Sequence, residues 1–187
     1  MEWLEEIDRN LFLWFNSFHT DFFDQVFWII TDKLFGIPFY LLGLLLLIKK
    51  YGWKKGLILC SGAIIAVVMA DQASRHLFKE VFERWRPSHN LELEGMVHLV
   101  NDYRGGKNSF VSSHAANMFA VATFIGLAIN KKVLWISFVV AALIAYSRLY
   151  IGVHYPSDLV AGGLLGMLLG WLVFRVYSNS LNLGKAK

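Results

Sequence analysis

The feature that most constrains this chain is a series of long apolar runs closed off by paired lysines. Residues 35–48 carry no charge and end at Lys49 and Lys50; Lys54 and Lys55 precede a second run over 56–70; further runs cover 113–129, 133–150 and 157–177. A helix crosses the hydrocarbon of a bilayer in about 20 mostly apolar residues. The fold class expected is therefore all-α, a polytopic membrane bundle of five transmembrane helices, or six if residues 11–33 also cross. Composition agrees, with 56% of the 187 residues hydrophobic and 17% charged, outside the range of ordinary soluble domains. In a soluble chain the net charge of +4 would suggest nucleic acid. Here the positive charge sits in short clusters beside apolar runs, so no nucleic-acid partner is expected. The acidic N-terminus lacks the basic start of a signal peptide, so insertion is expected from the helices themselves. Cys60, the single cysteine, falls inside an apolar run and reads as a packing residue.

Three regions follow. Residues 1–34 read as amphipathic or interfacial helices, with apolar positions 4, 7, 11, 14, 15 and 18 at helical spacing and a shallow second helix over 22–31. Residues 35–177 form the transmembrane domain, and 178–187 a short cytoplasmic tail. The span that opens at Gly56 is expected to continue as helix through Asp71, Arg75, His76 and Lys79 toward Trp85. Residues 86–110, with Pro87, Gly95, Gly105 and Gly106, read as an exposed loop. The turns holding Lys49, Lys50, Lys54, Lys55, Lys131 and Lys132, together with Arg175, Lys185 and Lys187, carry no carboxylate. The positive-inside rule puts that end in the cytoplasm and the 86–110 loop outside.

Polar residues collect at the outer ends of the spans. Lys79 and Arg86 are seven positions apart, two helical turns and roughly 10 Å on one helix face, and two cations there suit an anion. Ser112 and Ser113 precede His114 at the start of a span, where free helix amides bind phosphate. Arg148 ends one span, and His154 and Asp158 flank Pro156 at the start of the next. A carboxylate four residues after an imidazole can take one ring nitrogen and leave the other as an outward lone pair. Taken singly, each cluster fits interfacial cations or a capped helix. Together they place cations, imidazoles and a carboxylate at one end of the bundle. Asp71 is expected to pair with Arg75 at i+4, and Gly162, Gly163, Gly166 and Gly170 to allow close helix packing. His76, His89, His98, Asp102, Arg104 and Lys107 read as interfacial or solvated.

The order Lys-x6-Arg-Pro, Ser-x-His, then Ser-Arg-x5-His-x3-Asp resembles the type 2 phosphatidic acid phosphatase superfamily, which shares its active site with vanadium haloperoxidases. The first and third signatures match with spacing intact; the second has Val111 and Ser113 where the family has proline and glycine. The resemblance implies that His154 forms a phosphohistidine, oriented by Asp158, and that His114 protonates the leaving oxygen and then activates water. Lys79, Arg86, Ser112, Ser113 and Arg148 would bind the phosphoryl oxygens, with no metal and no cofactor. The expected partners are the bilayer and a membrane lipid phosphate: phosphatidic acid, phosphatidylglycerol phosphate, undecaprenyl diphosphate or a lipid A phosphate. The expected location is the inner membrane, with the site on its outer face. A phosphotransferase, or a phospholipid-binding or transport protein without turnover, is the alternative, the latter suggested by Ser113.

Overall fold

The computed structural model describes residues 2–183 and is all-helical apart from one isolated bridge pair. Of the predicted tail, residues 184–187 lie outside the described residues, Lys185 and Lys187 among them.

Helix α1 (Glu2–Asn16) and α2 (Asp21–Thr31) are separate and each is shorter than a bilayer crossing, so residues 11–33 do not make a sixth span. Helix α1 is amphipathic as its spacing predicts. It exposes Trp3, Leu4, Ile7, Leu11 and Trp14 and buries Asp8, Phe12 and Asn16 against the protein. Thr20 caps α2 by accepting from the Phe23 amide.

Helix α3 (Ile37–Ala73) is broken at Gly52, where φ is +77° and ψ 164°. Only glycine takes such angles without steric cost. The chain reverses there: a Cβ on Gly56 would lie 2.8 Å from the Ile48 backbone. Arms 37–51 and 53–73 thus form the first two of five apolar arms. The others are α5 (Ser113–Ile129), α6 (Lys131–Tyr150) and α7 (Pro156–Ser180). Helix α5 is buried around most of its circumference, Ala115, Ala116, Ala120, Phe124 and Ala128 having no exposed surface, and it forms the axis of the bundle.

Two features fix the arms around it. The predicted glycine stripe lets α7 lie backbone to backbone on α5: a Cβ on Gly162 would come 2.5 Å from the Ser112 carbonyl oxygen, and Cβ atoms on Gly166 and Gly170 would run into the carbonyls of Ala116 and Ala120. At the other end Lys50 Nζ donates to the Ala128 carbonyl at 2.9 Å and to that of Ile129, and Tyr51 Oη donates to Ala128 at 2.5 Å. These carbonyls end α5 without helical partners. The lysine-bearing turns therefore share one end of the molecule, as predicted, and the polar clusters lie at the other.

Two expectations hold only in part at that polar end. The helix does not run to Trp85. It passes into a π-helical turn over Ser74–Lys79, then α4 (Glu80–Phe82), and stops at Glu83 in the left-handed region with φ +45°. Arg86 is extended, φ −68° and ψ 156°, as a residue before proline tends to be, so Lys79 and Arg86 do not share a helix face. Residues 86–110 are exposed at Leu91, Met96 and Tyr103, as a loop would be, but the segment is tied down. Trp85 bridges to Asn108, the Arg86 amide donates to the Lys107 carbonyl at 2.9 Å, and Pro87, Ser88, Leu93 and Val100 are buried. Arg104 Nη1 donates to the Ser88 carbonyl at 2.9 Å, and His98 Nε2 pairs with Asp24 at 2.9 Å. The segment is a tied cap over the helix ends on that side of the bundle.

Candidate active site

Each polar side chain at this end is placed by a local device. Helix α6 ends in a left-handed turn at Gly152, φ +84°. The Val153 amide reaches the Arg148 carbonyl at 3.1 Å and the Gly152 amide that of Leu149 at 3.0 Å, the paired bonds that close a helix on a glycine. A Cβ on Gly152 would lie 2.7 Å from the His98 carbonyl oxygen. The turn delivers His154 to the start of α7. There Asp158 closes a capping box, its Oδ2 accepting from the Tyr155 amide at 2.9 Å. The same Oδ2 lies 3.2 Å from His154 Nδ1. Both side chains are fully or almost fully buried, 1% exposed for His154 and 0% for Asp158. The i, i+4 spacing thus delivers the pairing expected of it, with Nδ1 toward the carboxylate.

Helix α5 starts beside this pair. Ser112 caps it by accepting from the Ala115 amide, and its own amide donates to the Asp158 carbonyl at 3.0 Å. Ser113 and His114 are the first helical residues, so their amides have no intrahelical acceptor. Ser113 takes helical angles, so the serine standing for glycine is unstrained there. Its hydroxyl is 2.7 Å from that of Ser74.

Lys79, Arg86, Ser113, His114 and Arg148 line a single cavity of about 690 Å³. Ser112, His154 and Asp158 are not in its wall; the Ser112 hydroxyl is turned inward as the cap. The cavity also takes in Asp71, Arg75, Tyr103, Lys107 and Asn117. Asp71 and Arg75 form the predicted ion pair at 3.0 Å, and Lys107 is exposed as expected while also lining the cavity. His76 points elsewhere, held between Gln72 and Glu80 at 3.0 Å each.

The cations are held by groups far away in sequence. Arg148, 3% exposed, donates from Nη1 to Thr31 Oγ1 at 2.6 Å and lies over the Tyr103 ring. Arg86 Nε donates to the Asn108 carbonyl at 3.2 Å, and Asn108 Nδ2 to the Lys79 carbonyl at 3.0 Å. Gly105, φ +66°, leaves room for the Arg86 guanidinium, which a Cβ there would meet. Among the described residues Arg86 Nη1 and Arg148 Nε are buried with no acceptor from the chain. Burial, then the charge of Arg148, pulls Arg86 down to a pKa of about 10, so it stays a cation at neutral pH. Burial, then Arg86, Arg148, Lys79 and Arg84, hold His154 well below the ordinary histidine range. It is therefore a neutral base, as a nucleophile must be. Donors converging on one open-mouthed cavity suit phosphoryl oxygens, and among the described residues no cluster of His, Cys, Asp and Glu forms a metal cage.

Sequence reasoning missed Arg84. Its Nη1 donates to Ser157 Oγ at 2.8 Å and to Asp158 Oδ1 at 3.2 Å, and its Nη2 to Asp8 Oδ2 at 2.7 Å. Asp8, in turn, accepts from the Ser157 amide at 2.9 Å. Nothing in the spacing pointed to these pairs, whose members are 73 to 149 positions apart.

The chain is similar to known proteins over nearly all of its length. The chain is 36% identical over 178 residues to a lipid A 4'-phosphatase of Porphyromonas gingivalis, covering 95% of this chain and 75% of that protein. A lipid A 4'-phosphatase of Bacteroides thetaiotaomicron is 37% identical over 178 residues, covering 94% and 79%. The fold is that of the transmembrane PAP2 type phosphatidylglycerolphosphate phosphatase of Bacillus subtilis, with a TM-score of 0.76 at 21% identity over 100% of this chain and 90% of that one. The PAP2 superfamily model matches residues 39–181, which hold every cavity cation and both histidines. The chain belongs to the PAP2 superfamily.

Proposed function

We propose that this membrane lipid phosphatase works through attack of His154 on phosphorus, with a lipid A phosphate as substrate. The observation that carries the reading is the convergence of Lys79, Arg86, Arg148, Ser113 and His114 on one cavity beside the buried His154–Asp158 pair. Three of the four cations that act electrostatically on His154, namely Arg86, Arg148 and Lys79, also line the cavity, so a phosphoryl group gripped by them lies beside the imidazole. With Nδ1 toward Asp158, the Nε2 lone pair forms the N–P bond while the P–O bond to the lipid breaks. His114 gives its proton to the leaving oxygen. Water then attacks phosphorus, returns a proton to His114, and the N–P bond breaks to release phosphate. Lys79, Arg86, Arg148 and the amides that start α5 hold the charge on the equatorial oxygens through both steps. Ser112 contributes by capping the start of α5 at the Ala115 amide rather than as a direct ligand.

Relatives acting on lipid A match nearly the whole chain, and the cavity exceeds the size of a phosphoryl group, which supports a bulky headgroup. The protein sits in the inner membrane with the lysine turns in the cytoplasm and the cavity on the outer side. Residues 2–34 lie along that outer interface, and residues 178–183 are on the cytoplasmic side. The test is phosphate release by purified protein in detergent. His154→Ala should lose about three orders of magnitude or more, His114→Ala most of the activity, and EDTA should change little. Full activity in His154→Ala, or loss in EDTA restored by magnesium, overturns the mechanism. Faster turnover of undecaprenyl diphosphate than of a lipid A phosphate overturns the substrate.

A further inference from the structure

Asp158 is gripped from outside the cavity. One of its oxygens, Oδ2, serves His154 Nδ1 and the Tyr155 amide. The other, Oδ1, accepts from Arg84 Nη1 at 3.2 Å. The Arg84 guanidinium lies face-on to the Tyr155 ring at 4.0 Å, and its second fork nitrogen is fixed by Asp8 at 2.7 Å. Asp8 also holds both polar groups of Ser157, the amide at 2.9 Å and the hydroxyl at 2.5 Å. A carboxylate on α1 thus caps the first turn of α7 from outside, while sharing one guanidinium with the carboxylate that holds the imidazole. Arg84 opens onto a second cleft, with Glu5, Arg9 and Glu92, which shares no lining residue with the phosphate cavity.

We propose that Arg84, fixed by Asp8 of the N-terminal helix, is a positioning residue: it holds Asp158, and through it the ring of His154, in the orientation for attack. The inference rests on the reading of His154 and Asp158 given above. Asp158 is completely buried, and Arg84 is the cation that reaches it. A buried carboxylate stripped of its cation is a costly arrangement, and it can relieve that cost by rotating off Nδ1. The imidazole would then be free to turn its lone pair away from phosphorus. Arg84 does not line the phosphate cavity, so its loss should slow turnover without weakening phosphate binding. The same chain of contacts makes α1, whose other face is apolar and exposed, part of the catalytic apparatus rather than an anchor alone.

The test measures kcat, KM and inhibition by inorganic phosphate for the full chain in detergent, for Arg84→Gln, Arg84→Lys, Asp8→Asn and Asp158→Asn, singly and combined. Arg84→Gln should lower kcat about 10- to 100-fold, with KM and the phosphate inhibition constant within about 2-fold. Arg84→Lys should recover part of that loss, because one ammonium can meet one carboxylate but not fork between two. Asp8→Asn, which keeps the shape of the side chain, should cost about 3- to 10-fold and carries the test if Arg84→Gln does not fold. In the Asp158→Asn background, Arg84→Gln should cost no more than about 2-fold further. Unchanged kcat in both Arg84→Gln and Asp8→Asn overturns the proposal. So does the full Arg84→Gln loss recurring on Asp158→Asn, or a raised phosphate constant at unchanged kcat. An Asp158→Asn variant with wild-type kcat overturns instead the reading of the His154–Asp158 pair on which it rests.

Discussion

His154 shows how much a single buried group depends on its surroundings. An imidazole in water takes a proton near pH 6.5; burial and four nearby cations prevent that here. As pH falls, the unfolded chain takes this proton first, so protonation favours unfolding. The penalty grows by about 1.4 kcal/mol per unit of pH below roughly 6.5, until the folded group itself titrates. Heat stability in detergent should therefore drop between pH 7 and pH 5 by more in the wild type than in His154→Asn, which carries no such proton. Equal drops would show that His154 is not held neutral by the fold. The residue identities were readable beforehand because the four-residue step from His154 to Asp158 is set within one turn of chain. The partners Thr31, Asn108 and Arg84 were not, because each reaches its target across long stretches of sequence.

Elements hold the site through close helix contact. Helices α5 and α7 start side by side, joined by the Ser112 amide and the Asp158 carbonyl, and stay together because Gly162, Gly166 and Gly170 bring the backbones into contact. A side chain at Gly166 must push the helices apart, since the Ala116 carbonyl that it meets is backbone and cannot rotate away. Gly166→Val should therefore destabilise by about 1–3 kcal/mol and also lower kcat, because it separates His114 from His154 at the joined ends. Thermal melting and phosphate release on the same preparation test this. A variant with wild-type melting and turnover would mean that α5 and α7 are not set by this contact. The glycine spacing predicted the contact correctly. The helix expected to run toward Trp85 continues through Lys79 but stops at Phe82, because the π turn and the left-handed Glu83 follow no pattern of apolar spacing.

For the whole molecule, charge and polarity divide the two ends. Lysine turns close one end around the α5 carbonyls, and the cavity with its tied 86–110 cap occupies the other. The proposed orientation in the membrane rests on that division and is open to labelling in a Cys60→Ser background. Met96 and Trp53 are both well exposed, 60% and 64%, at the capped end and the lysine end. A membrane-impermeant thiol reagent added to sealed right-side-out vesicles should label Met96→Cys and spare Trp53→Cys; the reverse pattern would invert the proposed topology. By itself the sequence determined the helical membrane class, the arms and the glycine face, because each is written in local spacing and in apolar runs that must satisfy their own backbone. It also named the groups proposed to do the chemistry, since their order along the chain is distinctive. Only the tertiary structure decided which of them face the cavity, that the segment before α5 is a packed cap, and that Asp8 and Arg84 stand behind Asp158. Those outcomes depend on which distant surfaces meet when the helices pack, and no periodicity in one segment encodes the partner in another.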